Sequence, residues 1–231
     1  MTRTELTGVA GVPETAVSEA LLAGLPANGS PAPWECVCEA VVWFGRGGRA
    51  AVEALPPALR EGAQGLAVVG GLVRYLKTPV GPYDEVLGMV GSRTGLRPWG
   101  SVAFMAVDSQ PSLVGGRTNW AMPKTFASFD GEVGDGRSFS GSGADSTRWQ
   151  VTATPKVLGP ALPVRTTGVA RQEFPGRRVG TSPLRARGRV RPAIVTVQVE
   201  SDGPLPTWLR PGRHLGAVVE RATFTLGEPR F

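Results

Sequence analysis

The chain has 231 residues, of which 41% are hydrophobic, and it contains 32 glycines and 21 prolines. This mixture is typical of a globular protein with short elements and many turns, and it excludes a disordered chain. The formal net charge of +6 favours anionic ligands in general. Because the sequence has no helix-turn-helix, zinc-finger or aromatic-interleaved basic module, we expect no nucleic-acid partner.

Residues 1–33 are expected to form an N-terminal arm. They contain scattered small and acidic residues followed by three prolines, and only residues 14–25 favour a short helix. The start of the chain lacks the basic and then apolar segments that mark a signal peptide. The longest apolar run, residues 65–73, is too short to span a bilayer, so we expect a cytoplasmic protein without a membrane partner.

Residues 34–231 are expected to form a single domain, because no linker-like break divides them. Apolar runs separated by Gly and Pro predict eight strands there. These runs are residues 34–44, 65–76, 83–91, 99–107, 126–133, 148–154, 189–200 and 215–226. Helix is predicted only at residues 50–60, which two prolines interrupt, and as one or two turns at residues 111–119.

This pattern predicts a mainly antiparallel α+β fold, built as a sheet or a barrel with a few short helices. Residues 83–91 and 99–107 are expected to pair antiparallel, since a parallel pair would need a long crossover. Residues 148–154 are expected to pair with residues 126–133 across a turn region rich in Gly, Ser and Asp.

The two cysteines, Cys36 and Cys38, lie in one predicted strand, where residues two apart point to the same face. A disulfide between them is therefore not expected. With His214 the one histidine of the chain, they also make a poor zinc site, because zinc takes about four nitrogen or sulfur ligands. We predict no metal site and interpret both cysteines as small buried hydrophobic residues.

Lysine is rare in this chain, because only Lys77, Lys124 and Lys156 occur among its 25 lysines and arginines. Lys124 lies between Met122 and Phe126 in an apolar segment. Arginine cannot become a nucleophilic amine, so a lysine kept at such a position indicates amine chemistry. A surface lysine whose stem covers apolar residues would explain the same pattern.

Two segments of the chain resemble motifs of the acetoacetate decarboxylase-like superfamily, whose members carry Gly-x-Tyr-x-Glu and, later, Gly-Arg-Glu-x-x-x-x-Pro-Lys-Lys. The segments are Gly81-Pro82-Tyr83-Asp84-Glu85 and Gly116-Arg117 followed by Met122-Pro123-Lys124. Their order and separation match, and the resemblance extends over about residues 34–228. It implies a β-barrel-centred α+β fold that assembles into homo-oligomers.

The resemblance implies that Lys124 forms a Schiff base with a small-molecule keto acid, so that the covalent imine takes the place of a cofactor. The Schiff-base lysine of this family is a standard example of an amine activated by desolvation or by a neighbouring cation. Here Thr125 follows Lys124, where the family often has a second lysine. Burial is therefore expected to supply most of the activation.

The same motif implies that Glu85 is the second catalytic residue, because a carboxylate near an iminium can shuttle protons, orient the substrate or stabilise positive charge. A solvated strand residue is the alternative for Glu85. The substrate-binding residues implied are Tyr83, Trp120, Met122 and Arg117, although Tyr83 could simply pack and Arg117 could be structural.

The first functional hypothesis is a cofactor-free carbon-carbon lyase that decarboxylates a β-keto acid such as acetoacetate. The first alternative is a Schiff-base aldolase or dehydratase acting on a pyruvate-like α-keto acid. The second is a non-catalytic ligand-binding member of the same fold. Decarboxylating members carry an arginine near the beginning of the first long strand and a further acid a short way before the Tyr-x-Glu segment. Here residues 34–44 contain no arginine and residues 68–72 contain no acid.

Overall fold

The structure, a computed structural model, describes residues 3–143 and 145–231. In this part of the chain the strands are β1 (Trp34–Arg46), β2 (Gln64–Lys77), β3 (Tyr83–Thr94), β4 (Arg97–Val107), β5 (Lys124–Phe126), β6 (Ser128–Gly131), β7 (Phe139–Gly143), β8 (Trp149–Val157), β9 (Leu162–Phe174), β10 (Arg178–Ser201) and β11 (Gly212–Leu226). The helices are α1 (Arg3–Thr7), α2 (Glu19–Ala23), α3 (Arg49–Ala54), α4 (Gln110–Trp120) and α5 (Leu205–Trp208). None of these helices is long and apolar enough to cross a membrane.

The strands form one sheet that closes into a ring. Strands β11, β1, β2, β3 and β4 pair antiparallel in that order, and β9 and β10 form a long antiparallel ribbon. A single parallel bridge from Gly100 to Ala170 joins β4 to β9, and β10 pairs with β11 to complete the ring. The prediction of a mainly antiparallel fold with few short helices is therefore confirmed.

The other strands extend this ring at two places. Strand β10 also pairs with β8, and β7 and β6 follow beyond β8. The short β5 pairs in parallel with β4, so that Lys124 lies opposite Met105. Lys124 thus begins a strand that is attached directly to the ring.

Alternation along the strands separates two apolar cores. In β1, Val41 and Trp43 belong to a core that also contains Phe104, whereas Cys38 and Ala40 belong to a second core. Successive residues of a strand point to opposite faces, which explains the division. The second core surrounds the candidate site.

The predicted pairing of residues 148–154 with residues 126–133 is wrong. Strand β7 lies between β6 and β8 and pairs with both. The sequence of β7, Phe-Ser-Gly-Ser-Gly, lacks apolar alternation and was therefore expected to be part of a turn region. The predicted strand at residues 126–133 is also divided, since Ala127 donates its backbone N–H to Val107 between β5 and β6.

The N-terminal segment packs against the strands. Val12 donates its backbone N–H to the carbonyl of Ala103 in β4. The short helix predicted at residues 14–25 is a 3-10 turn at Pro13–Thr15 followed by α2, which the side chain of Ser18 caps.

Candidate active site

The strands of the ring surround a cavity of about 310 Å³ whose lining includes Lys124 and Glu85. Each ring strand contributes at least one side chain to this lining, which also contains Trp120 and Met122 from the α4–β5 connection. Two larger depressions of about 670 and 660 Å³ open on the surface, but neither Lys124 nor Glu85 lines them. The buried cavity therefore holds the predicted catalytic pair.

Lys124 and Glu85 form a buried ion pair at this cavity. Lys124 Nζ donates to Glu85 Oε2 at 2.8 Å and to Ser112 Oγ at 2.9 Å. Tyr75 donates its hydroxyl to the other carboxylate oxygen, Glu85 Oε1, at 3.1 Å. Lys124 Nζ also lies 5.2 Å from the centre of the Tyr83 ring. An ammonium has three N–H donors, and these two hydrogen bonds use two of them.

Strand geometry explains how these side chains meet. Tyr83 and Glu85 are two residues apart in β3, so both point to the cavity face. Tyr75 of β2 lies opposite Tyr83, and their ring centres are 4.4 Å apart. The Lys124–Glu85 contact therefore forms across the neighbouring strands β3, β4 and β5, between residues 39 positions apart in the chain.

Helix α4 supplies both Ser112 and space for the lysine side chain. Ser109 caps this helix by accepting from the backbone N–H of Ser112, which sets Ser112 in its first turn. A Cβ on Gly116 would lie only 2.5 Å from Cδ of Lys124. Glycine at this position therefore allows the lysine stem to lie directly against the helix.

The helix is longer than the predicted one or two turns because it runs from Gln110 to Trp120. It ends at Ala121, whose φ of 50° is left-handed and whose backbone N–H donates to the carbonyl of Arg117. This tight ending returns the chain to the ring within three residues and brings Lys124 to the start of β5.

The other titratable groups of the lining stay neutral near neutral pH. Burial, with the charge of Glu85 as the next cause, raises the pKa of Tyr75 and Tyr83 well above the usual value. Burial also raises the pKa of both Cys36 and Cys38 to about 12. The two phenols therefore remain hydroxyls and the two thiols remain protonated.

Among the described residues that line the cavity, Lys124 and Glu85 are the charged ones. The arginines that could replace the missing one of the first long strand are Arg46 at the end of β1, Arg49 just after it and Arg74 of β2, and none of them lines the cavity. Arg74 forms an ion pair with Asp84 at 2.8 Å, and Arg49 pairs with Glu53. The rest of the lining is apolar apart from the two tyrosine hydroxyls and the two thiols.

Arg117, which the resemblance implies as a substrate-binding residue, does not line the cavity. Its guanidinium donates to three backbone carbonyls, those of Lys124 at 2.5 Å, Leu6 at 2.5 Å and Thr15 at 2.6 Å. Burial lowers its pKa to about 10, which still leaves it protonated at neutral pH. Arg117 thus fixes the backbone of Lys124 and ties the N-terminal segment to it.

The structure brings Tyr83, Trp120 and Met122 to the cavity, as predicted, whereas the sequence gives no prediction for two other residues beside the ion pair. Ser112 and Tyr75 contact the ion pair directly. Tyr75 lies in a run of apolar residues that predicts only a buried strand. Ser109 followed by Pro111 is typical of a helix start, but this signal predicts the start of α4 and not the contact between Ser112 and Lys124.

Comparison with known proteins identifies the family and agrees with the fold. Residues 28–200 match the family model for acetoacetate decarboxylase. No curated protein matches the chain. A solved acetoacetate decarboxylase has a TM-score of 0.61 at 16% identity, with 100% of this chain and 96% of that chain covered.

Two further structures share the fold. Acetoacetate decarboxylase from Legionella pneumophila has a TM-score of 0.57 at 14% identity, covering 89% of each chain. The enduracididine biosynthesis enzyme MppR complexed with pyruvate has a TM-score of 0.62 at 18% identity, covering 90% of this chain and 93% of that one. The family match over most of the sequence and the shared fold lead to one conclusion: the chain belongs to the acetoacetate decarboxylase family.

Proposed function

We propose that this protein is a cofactor-free lyase in which Lys124 forms a Schiff base with a β-keto acid and releases carbon dioxide. The observation that carries the proposal is the buried contact of 2.8 Å between Lys124 Nζ and Glu85 Oε2 at an otherwise apolar cavity. A lysine nucleophile needs a partner that can take its proton, and Glu85 lies within hydrogen-bond reach of it.

The first steps form the imine. The Lys124 ammonium gives a proton to Glu85, and the free amine adds to the ketone carbon of the substrate. The resulting carbinolamine loses water, for which the protonated Glu85 returns its proton to the leaving hydroxyl. The product is a cationic iminium beside an ionised Glu85, so the pair carries the same total charge as before the reaction.

The iminium then accepts the electrons of the breaking bond. The bond between the carboxylate carbon and its neighbour breaks, its electron pair forms the carbon-carbon double bond of an enamine, and carbon dioxide leaves. The enamine carbon takes one proton, which solvent supplies overall, and water hydrolyses the new iminium. The net reaction converts a β-keto carboxylate and one proton into a ketone and carbon dioxide, and it frees Lys124.

The charge of the cavity favours a β-keto acid over an α-keto acid. A carboxylate in apolar surroundings is costly unless it is paired, and the one cation of the described lining is already paired with Glu85. A β-keto acid loses its carboxylate charge as carbon dioxide departs, so the same surroundings favour its transition state over its bound state. An α-keto acid that keeps its carboxylate would need a permanent counter-charge.

The pyruvate aldolase or dehydratase alternative has one specific support, since the solved MppR structures include complexes with pyruvate and with its condensation product. It would require a cation that approaches the cavity from outside the described lining. The ligand-binding alternative predicts binding of a keto acid without turnover.

A turnover assay separates these alternatives. The protein is incubated with acetoacetate, with 3-oxooctanoate and with pyruvate, while released carbon dioxide and the organic products are measured against spontaneous breakdown. We expect carbon dioxide and the matching ketone from at least one β-keto acid with wild type, and only background with Lys124→Ala. Turnover of pyruvate alone, or equal release by Lys124→Ala, would contradict the proposal.

A further inference from the structure

We infer that the Lys124 cavity takes substrates with a long apolar group, such as a straight alkyl chain or an aromatic tail, and not a compact polar keto acid. The tail would lie along the cavity face of β1, β2 and β3, from Glu85 toward Phe44. This inference rests on the proposed Schiff-base chemistry at Lys124 and concerns the part of the substrate that does not react.

The polar groups of the cavity are gathered at one end of β3, and an apolar stripe continues from them. Glu85, Leu87 and Met89 alternate along β3 and all line the cavity, and Val69 of β2 lies opposite Met89. Met89 is four positions beyond Glu85, which corresponds to about 13 Å along a strand. A reacting group held at Lys124 therefore has an extended apolar surface beside it.

Exposure increases along this stripe. Glu85 is 1% exposed, whereas Leu87, Met89 and Val69 are half-buried. Phe44, which lies opposite Val69, is 50% exposed. An apolar chain that follows the stripe would thus run from the buried ion pair toward solvent.

The apolar surface continues beyond the cavity lining. Val42 lines the cavity, and Phe44 lies two residues further along β1 on the same face. Leu215 of β11 lies opposite Phe44 and is 69% exposed. Phe44 and Leu215 thus continue the apolar cavity face toward solvent, and an exposed apolar surface beside a cavity is typical of a site for an apolar ligand group.

The stripe offers no partner to a polar substituent. Among the described lining residues, the hydroxyl, carboxylate and ammonium groups belong to Tyr75, Tyr83, Glu85 and Lys124. Glu85 accepts from Lys124 and Tyr75, Lys124 also donates to Ser112, and the Tyr83 hydroxyl is hydrogen-bonded with Ser112 and Tyr75. A hydroxylated or phosphorylated tail would lose water without gaining a hydrogen bond along β1, β2 and β3. An alkyl or aromatic tail would instead gain from burial.

Gly71 provides a way to fill this part of the cavity. It lies in β2 opposite both Val42 and Leu87. A Cβ on Gly71 would meet the side chain of Leu87 at 3.5 Å and that of Val42 at 3.7 Å, which are ordinary contact distances. A Cβ at Gly71 would therefore fit between two lining residues, and the further atoms of a larger side chain would occupy space that the tail is proposed to fill.

The test uses ketones, which form the imine but carry no carboxylate. The protein is treated with acetone, heptan-2-one or undecan-2-one at equal low concentration, reduced with sodium borohydride, digested and analysed by peptide mass. The exposed lysines Lys77 and Lys156 report the intrinsic reactivity of each ketone in the same sample. The measured quantity is the adduct at Lys124 divided by the adduct at these two lysines.

We expect this normalised adduct to be at least about ten-fold larger for undecan-2-one than for acetone, because each buried methylene group can contribute a factor of roughly four. In Gly71→Leu the preference for undecan-2-one over acetone should fall by about ten-fold or more, because the leucine side chain would occupy space in which the methylene groups of the ketone are otherwise buried. The matched control is Leu96→Ala, in the β3–β4 turn and 92% exposed, which should keep the preference.

The possible failures have different meanings. An adduct at Lys124 that does not increase with chain length would overturn the apolar-tail inference and leave the Schiff-base proposal standing. An unchanged preference in Gly71→Leu would overturn the position of the tail along β1, β2 and β3. No adduct at Lys124 with any ketone would contradict the proposed function itself.

Discussion

Lys124 and Arg117 are two buried cations only seven residues apart, and each is 3% exposed. Arg117 donates to three backbone carbonyls and has no carboxylate partner among its hydrogen bonds. Lys124 donates to a carboxylate and a hydroxyl and borders the cavity. The same segment therefore contains one cation arranged for fixed structural contacts and one arranged beside an acid that can take its proton.

The difference follows from the chemistry of the two side chains. Guanidinium presents a planar set of donors that stays charged at neutral pH, which suits three carbonyls that need permanent donors. Ammonium can lose a proton and become a nucleophile. In a chain with only three lysines, this comparison explains why lysine occurs at the cavity and arginine beside it.

The largest expected effect is on turnover when Lys124 is changed. Lys124→Met and Lys124→Arg should both reduce carbon dioxide release from a β-keto acid to the spontaneous rate, because neither side chain supplies an amine. Lys124→Arg keeps the positive charge beside Glu85 but has no nucleophilic amine, so it distinguishes the effect of the charge on turnover from the effect of the nucleophile. Lys156→Arg, on the exposed part of β8, should retain turnover. Residual turnover in Lys124→Arg would show that charge alone is sufficient.

Glu85→Gln should reduce the turnover number by about 10²- to 10⁴-fold, the usual range for loss of a general acid or base. Glutamine has nearly the same shape and can still accept the hydrogen bond from Tyr75, so the loss would reflect proton transfer. The control is Asp84→Asn, since the neighbouring Asp84 pairs with Arg74 and does not line the cavity. Equal losses in both variants would contradict a specific role for Glu85.

Arg117→Met should chiefly lower stability. It would leave three carbonyls without their donor, and each buried unsatisfied group costs about 1 to 3 kcal/mol, so the free energy of unfolding should fall by about 3 kcal/mol or more. Urea denaturation measures this change. Arg117→Lys should recover only part of it, since lysine lacks the planar fork. An Arg117→Met variant that is as stable as wild type but has lost turnover would contradict the structural role assigned to Arg117.

A smaller effect is expected at alkaline pH. Cys36 and Cys38 ionise near an ordinary pKa of 9.0 when unfolded but at about 12 when folded, because of burial. Between pH 9 and pH 12 the thiols of the unfolded chain release protons that the thiols of the folded chain keep. The contribution of the two cysteines to the free energy of unfolding is therefore fully present below about pH 9 and is lost as pH rises toward 12. The melting temperature should therefore fall less steeply between pH 8.5 and 10.5 in Cys36→Ala/Cys38→Ala. An unchanged slope would contradict buried, protonated thiols.

Much of the ring could be predicted from the sequence because its strands carry a strong local signal. Strands β1, β2, β3, β4 and β11 are apolar or alternating runs bounded by Gly and Pro, and their predicted positions agree with the structure to within a few residues. The ribbon of β9 and β10 was mostly missed. Residues 162–169, Leu-Pro-Val-Arg-Thr-Thr-Gly-Val, are all exposed and mix apolar with polar residues, so no buried face marks them as a strand.

The site was predictable only in part, for a different reason. The motif resemblance selected Lys124 and Glu85, but the Tyr75 and Ser112 contacts depend on strand register and on the start of α4. The two cysteines were correctly expected to be buried, yet their position on the cavity wall follows from ring closure. Closure is a long-range property that local patterns do not contain.

The central claim is that Lys124 Nζ attacks a carbonyl, and borohydride trapping with the natural type of substrate tests it most directly. Wild type and Lys124→Met are mixed with a β-keto acid, reduced, digested and analysed by peptide mass. We predict one stable adduct on the peptide that contains Lys124, well above the level on Lys77 and Lys156, and none of it in Lys124→Met. Modification confined to the two exposed lysines, or equal in both proteins, would contradict the account.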